Sequence, residues 1–147
     1  MMQNSDYSFI PGGIAKDTRG QIRFVNAFDM TQVKRFYLIQ NADLEVIRGW
    51  RGHKIEQRWF FVISGEFMAR LVKIDDWKCP SQNLPVDEFL LSASEGQILH
   101  IPAGYATAFQ ATENNAELLV YADYPVDHAA LDNHLWPSNY FVGENDK

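Results

Sequence analysis

Apolar residues along this chain recur in short blocks, separated by Gly, Pro, Asn and Asp. Pro11-Gly12-Gly13 and Asp17-Thr18-Arg19-Gly20 read as turns, and the alternation over 21–25 predicts a strand. Residues 34–39, rich in aromatic and branched side chains, predict a second strand. After a turn at Asn41-Ala42-Asp43, extended structure resumes over 45–48. The apolar run 59–63 is too short and too β-branched for a helix, so it predicts a buried strand. Ser64-Gly65-Glu66 is a turn and 67–74 a return strand, so the pair reads as a hairpin. Residues 75–87 hold two prolines without periodicity and predict a long loop. Further strands are expected over 88–92, 97–101 and 118–122, and a short helix over 127–135. Many short strands with closely spaced turns indicate a β-sandwich or barrel. Without long helices between them, a parallel α/β sheet is excluded.

The 147 residues suffice for one domain with its own core. The net charge of −6 is unevenly spread: residues 1–70 carry ten basic and seven acidic side chains, residues 71–147 three and twelve. An acidic total disfavours sequence-independent nucleic-acid binding, but the arginine-rich half leaves room for a small anionic ligand. The single cysteine, Cys79, excludes an intrachain disulfide and a cysteine-based zinc site, and lies in the long loop without a basic cluster to activate it. No basic segment followed by an apolar one opens the chain, and no apolar run approaches the roughly 18 residues of a membrane span. A cytoplasmic protein without membrane attachment is expected.

The stretch from Gly96 through Pro102 and Gly104 to Thr107 resembles the second conserved motif of the cupin superfamily. The spacing is that of glycine, five residues, proline, any residue, glycine, two residues, histidine, with Thr107 in the histidine position. Gly49-Trp50-Arg51-Gly52-His53-Lys54-Ile55-Glu56 matches the first motif, with Arg51 in one histidine position and His53 in the other. The resemblance implies an all-β cupin-type double-stranded β-helix (jelly roll) with a short C-terminal helix. It implies one domain over 1–147, with a core of about 14–125 and a tail of 126–147. A transition-metal site wants three or four convergent ligands, and a guanidinium repels a cation. Glu56 falls early for the usual ligand spacing. Neither metal nor cofactor is expected, which counts against a metal-dependent cupin enzyme.

Val33-Lys34-Arg35-Phe36-Tyr37, Arg48-Gly49-Trp50-Arg51-Gly52-His53-Lys54 and Asp17-Thr18-Arg19-Gly20, in that register, resemble the nucleotide-sugar cupins. These are the dTDP-sugar 3,4-ketoisomerases (FdtA-like, WxcM-like) and the dTDP-4-dehydrorhamnose 3,5-epimerases (RmlC-like). The resemblance implies an isomerase or epimerase that moves protons next to the ketone of a nucleotide-linked 4-keto-6-deoxy sugar, for surface polysaccharide. It assigns His53 as base, Arg51 and Arg48 to the enediolate oxygen, and Arg19 and Arg35 to the diphosphate. Tyr37 and Trp50 would stack on the nucleobase. Tyr121 stands near the place of the epimerase acid, although alignment through Ala116-Glu117 puts Val120 there. Tyr105 would be lid or core. A non-catalytic sugar-nucleotide or carbohydrate-binding cupin is the alternative, because Arg51 and Thr107 replace family histidines. A homodimer is implied, with which the 14% aromatic content is compatible. On a regular strand Arg51 and His53 face the same side, unless Gly52 marks a bulge. His100, between Leu99 and Ile101, reads as structural, Trp59, Phe60 and Phe61 as core, and His128 and His134 as solvated.

Overall fold

The structure, a computed structural model, describes residues 6–143. Twelve strands are assigned among these residues: β1 (Ser8–Ile10), β2 (Gly13–Asp17), β3 (Gly20–Phe24), β4 (Arg35–Ile39), β5 (Arg48–His53), β6 (Arg58–Ser64), β7 (Glu66–Lys73), β8 (Asp87–Ser92), β9 (Ile98–Ile101), β10 (Tyr105–Ala111), β11 (Glu117–Ala122) and β12 (His134–Leu135). One sheet runs β1-β9-β6-β11-β4, the second runs β12-β5-β10-β7-β8, and β2-β3 form a separate ribbon. All pairings are antiparallel. Two antiparallel sheets packed face to face are the cupin-type jelly roll that the motifs implied.

Alternation decides which face is inside. Phe60 and Val62 of β6 with Leu118 and Val120 of β11 point inward from the first sheet. They meet Phe67, Ala69 and Leu71 of β7 and Phe109 of β10 from the second. The rings of Phe60 and Phe109 are centred 4.7 Å apart across this core. A second cluster lies on the outer face of the β5-β10-β7 sheet. Trp50, Val72, Ala106 and Ala108 are covered there by Leu84 and Val86 of the long loop and by Trp136, Tyr140 and Phe141 of the tail.

Three local expectations are corrected. β6 and β7 are not a hairpin: β6 pairs with β9 and β11, β7 with β10 and β8. At Gly65, with φ of 73°, the chain crosses from one sheet to the other, so both strands contribute their apolar faces to one core. The stretch 45–48 is a turn and irregular backbone until β5 begins at Arg48. The tail helix spans only Val126–Ala129, followed by a 3-10 turn, Ala130–Asp132. Residues 134–135 instead extend the second sheet through Gly52 and Arg51, which leaves fewer strand hydrogen bonds at that edge unmade. The strands at Gly13–Asp17 and Tyr105–Ala111 lay in stretches read as turn and motif. No helix among the described residues is long and apolar enough to cross a membrane.

Candidate active site between the sheets

The Pro102–Gly104 turn carries the chain from β9 in one sheet to β10 in the other. Gly104 sits at φ 104° and its N–H donates to the carbonyl of His53, 2.8 Å away. The second motif therefore pins the backbone of the first. The register shift in β5 falls at Gly49 and Trp50, opposite Ala108, rather than at Gly52. Downstream of it, Arg51 lies opposite Thr107 and His53 opposite Tyr105, so Arg51 and His53 share the inward face. Gly52 faces outward, where a Cβ would come within 2.9 Å of the Trp136 and Trp77 rings.

Two cavities open on that inward face and share Tyr37 and Arg51 as wall. The larger, about 720 Å³, is lined by Tyr37, Arg48, Arg51, Arg58, Thr107 and Trp136 among others. The smaller, about 320 Å³, is lined by Arg35, Tyr37, Arg51, His53, Glu56, Ala129, Ala130 and Asn133. Arg51 makes no hydrogen bond or ion pair within the described residues, so its guanidinium is uncommitted. Arg35 stacks over the Tyr37 ring at 5.2 Å and donates to the Tyr124 carbonyl and to Glu56 Oε1. Arg48 stands at the rim and donates to Asn41 Oδ1.

His53 is 7% exposed. Its Nδ1 lies 2.9 Å from the backbone carbonyl of Asp132. A carbonyl can only accept, so Nδ1 carries the proton and Nε2 keeps its lone pair. Burial, and next the positive charge of Arg58, push the imidazole down to about 3; Arg51 and His134 add to this, and the Asp132 carbonyl opposes it. The ring is neutral at physiological pH. The Asp132 carboxylate, 1% exposed, accepts from the backbone N–H groups of Lys54, Ile55 and Glu56. It ties the turn after β5 to the tail.

Arg58 comes from β6, in phase with Phe60 and Val62, and is buried with its guanidinium over the Phe60 ring. It donates to Thr107 Oγ1 at 3.1 Å. Glu56 is 2% exposed, with Oε1 bonded to Arg35. Its Oε2 stands 3.9 Å from His53 Nε2 and 4.0 Å from Arg58 Nε. Burial raises the Glu56 carboxyl, against the pull of Arg58 and Arg35. The cupin metal positions do not fit a metal: Arg51 replaces a ligand, and Thr107 is hydrogen-bonded to the Arg58 guanidinium. Among the described residues no cluster of metal-ligating side chains occurs. The arrangement offers one neutral base, several guanidinium groups and a buried carboxyl around a polar cavity, which is equipment for moving protons on an anionic ligand.

Of the residues singled out in the sequence, Arg35, Tyr37, Arg48, Arg51 and His53 come together here. Trp50 also borders the larger cavity, but it alternates with Arg51, so its indole lies on the opposite face of the sheet, buried against Phe141 and donating to the Ser138 carbonyl. Three others do not line either cavity. Tyr121 points outward from the first sheet, against Phe28 and Phe36, while its neighbour Val120 faces the core. Tyr105 is buried, donates to Asp6 Oδ1 and lines a separate small cavity with Tyr7. Arg19 is exposed on the β2-β3 turn, paired with Asp17 at 2.6 Å, and lines neither cavity. His100 is half-buried, stacked on Trp59 and bonded to Gln57. His134 is not simply solvated, because it packs between Trp77 and Trp136. Sequence reasoning missed Arg58, Asp132 and Glu56 as site residues. For Arg58 a signal existed, a charge in phase with the inward positions of a buried strand; Asp132 gave none.

A family model described as FdtA, WxcM-like, C-terminal matches residues 5–132. The chain belongs to this family. No curated protein matches it. Among solved structures, a mutant of the 3,4-ketoisomerase QdtA from Thermoanaerobacterium thermosaccharolyticum, in complex with TDP-4-keto-6-deoxyglucose, is similar with a TM-score of 0.68 at 20% identity, over 90% of this chain and 88% of that one. The rmlC epimerase of Mycobacterium tuberculosis gives 0.74 at 16% identity, over 94% and 72%. ChmJ, a 3'-monoepimerase from Streptomyces bikiniensis in complex with dTDP-quinovose, gives 0.73 at 14%, over 90% and 70%. These likenesses establish the shared cupin fold.

Proposed function

We propose that this FdtA-family protein is an isomerase of the 3,4-ketoisomerase type, acting on a nucleotide-linked 4-keto-6-deoxy sugar. The observation that carries the reading is the neutral, buried His53, with its tautomer fixed by the Asp132 carbonyl and its Nε2 lone pair free beside the cavity. The family match and the nucleotide-sugar ligands named for the similar structures supply the substrate class.

In this reading Nε2 removes the proton from the sugar carbon next to the ketone. The electron pair moves into an enediolate, whose oxygen meets Arg58. Protonation at the neighbouring carbon gives the 3-keto isomer. Arg48 at the rim and the uncommitted Arg51 face the diphosphate, and Tyr37 packs against the sugar or base. Tyr121 lies outside the cavity and Val120 in the core, so the epimerase acid has no counterpart at its own position, and the phenol that lines the cavity is Tyr37 on the neighbouring strand; the family match favours ketoisomerisation over epimerisation. The alternative, a binding module without catalysis, leaves the fixed tautomer without a purpose. A homodimer through the outer face of the first sheet is part of the proposal, supported by Phe36 and Leu38, which are 64% and 51% exposed there. So are a cytoplasmic setting and a role in surface-polysaccharide synthesis.

The test is incubation with dTDP-4-keto-6-deoxyglucose and NMR of the products. A 3-keto sugar supports the proposal. A C3 or C5 epimer, or tight binding without conversion, contradicts it.

A further inference from the structure

His53 is poorly placed to keep a proton. From β5 it faces Arg51, from β6 Arg58, and from the tail His134 and Asp132, and burial adds to the two guanidinium charges against imidazolium. A base that cannot hold the proton needs somewhere to send it. One group adjoins Nε2 in the required way. Glu56 Oε2 lies 3.9 Å from it, inside the same cavity wall. It is the only buried side-chain polar atom among the described residues without a hydrogen-bond partner. Its sister oxygen is fixed by Arg35 at 3.1 Å, so the free oxygen is held toward His53. Closing the gap by about 1 Å brings the pair to hydrogen-bond distance.

We infer that Glu56 is the proton reservoir of this site, receiving at Oε2 the proton that His53 collects from the sugar carbon at Nε2. The inference rests on the isomerase reading above. The C3–H bond breaks and its electron pair enters the enediolate. Nε2 binds the proton and passes it to Oε2, leaving a neutral imidazole and a neutral carboxylic acid. The proton returns by the same route to C4, the proton of the C3 hydroxyl passes to the new C4 hydroxyl, and Glu56 is again a carboxylate. The sugar is its own oxidant and reductant, and no further reactant enters. Glu56 does not touch the reacting carbon and acts through His53. Its surroundings suit a group that takes up and releases a proton. Burial and Asp132 favour its neutral form, and Arg58 and Arg35 its ionised form, so neither state is locked.

The test compares wild type with Glu56→Gln, which keeps the shape and an acceptor for Arg35. Wild-type kcat must rise through the titration of a carboxyl lying above the ordinary carboxylate range. Glu56→Gln must lose at least about 100-fold in kcat with KM within about threefold, and must lose that acidic limb. A purely structural role for Glu56 would lower the rate but keep the limb. A variant with wild-type kcat and the same limb overturns the inference while leaving the isomerase reading intact; absence of conversion by wild type overturns that reading instead. If Glu56→Gln does not fold, 15N NMR of His53 in wild type decides. A step in the Nε2 shift at the carboxyl titration, with the ring neutral throughout, supports the relay, and its absence refutes it.

Discussion

Removing the Asp132 carboxylate separates its structural work from the chemistry. In Asp132→Ala the backbone N–H groups of Lys54, Ile55 and Glu56 lose their acceptor. The Glu56 N–H is in a buried residue, and leaving such a donor unpaired costs about 1–3 kcal/mol. Lys54 and Ile55 are exposed, water reaches them, and about 0.5 kcal/mol each is reasonable. The sum is about 3 kcal/mol, which for a domain of this size is a fall in Tm of about 6–12 °C. Asp132→Asn keeps one acceptor oxygen and should lose about half as much. The contact to His53 Nδ1 comes from the backbone carbonyl, not the carboxylate, so the Asn variant should retain the tautomer and most of the activity. Thermal unfolding followed by circular dichroism, alongside turnover below the transition, measures both. An Ala variant within 2 °C of wild type, or Asn and Ala variants equally destabilised, would show that the carboxylate does not organise the turn after β5.

Stability should also depend on pH through His53. Its folded-state pKa, near 3, lies below that of an unfolded histidine at about 6.5. Between these values the unfolded chain binds more protons, so stability is full above about 6.5 and falls as pH drops toward 3. Wild type should melt lower at pH 5 than at pH 7.5, and His53→Gln should flatten that difference; equal slopes refute the assignment. Trp50→Ala should cost about 3–5 kcal/mol by emptying the outer cluster, and the gentler Trp50→Phe should leave the Kd for TDP unchanged in calorimetry; a tenfold loss of affinity would return Trp50 to the ligand. Arg51→Gln removes a guanidinium without internal partners, so Tm should stay within about 2 °C while TDP binding weakens about tenfold or more. A fall in Tm with unaltered binding would contradict its place in the cavity.

Strand runs and motif glycines were legible because they depend on neighbours in sequence. The 59–63 block, the Gly96–Gly104 turn and the shared face of Arg51 and His53 all follow from local backbone rules. Alternation also placed the Trp50 indole, since a side chain beside Arg51 must face the other way. What was not legible arises from long-range closure. Gly65 reads as a hairpin turn until the two strands must share one core. Residues 134–135 read as helix until the open edge of β5 attracts them. Asp132 enters the site only because the tail returns across the sheet, 79 positions from the histidine whose ring its carbonyl orients. Arg58 stands between these cases, marked by phase but assigned a meaning only by Thr107 and Glu56 around it.

Removal by His53 of a proton beside the sugar ketone is read out most directly by deuterium exchange. Wild type and His53→Asn are incubated with dTDP-4-keto-6-deoxyglucose in heavy water, with TDP binding verified for both. Wild type should show rapid loss of the C3 proton signal and growth of the 3-keto isomer, and His53→Asn neither. Exchange by the variant at the wild-type rate, or none by a wild-type protein that binds the nucleotide sugar, would contradict the role of His53 as base.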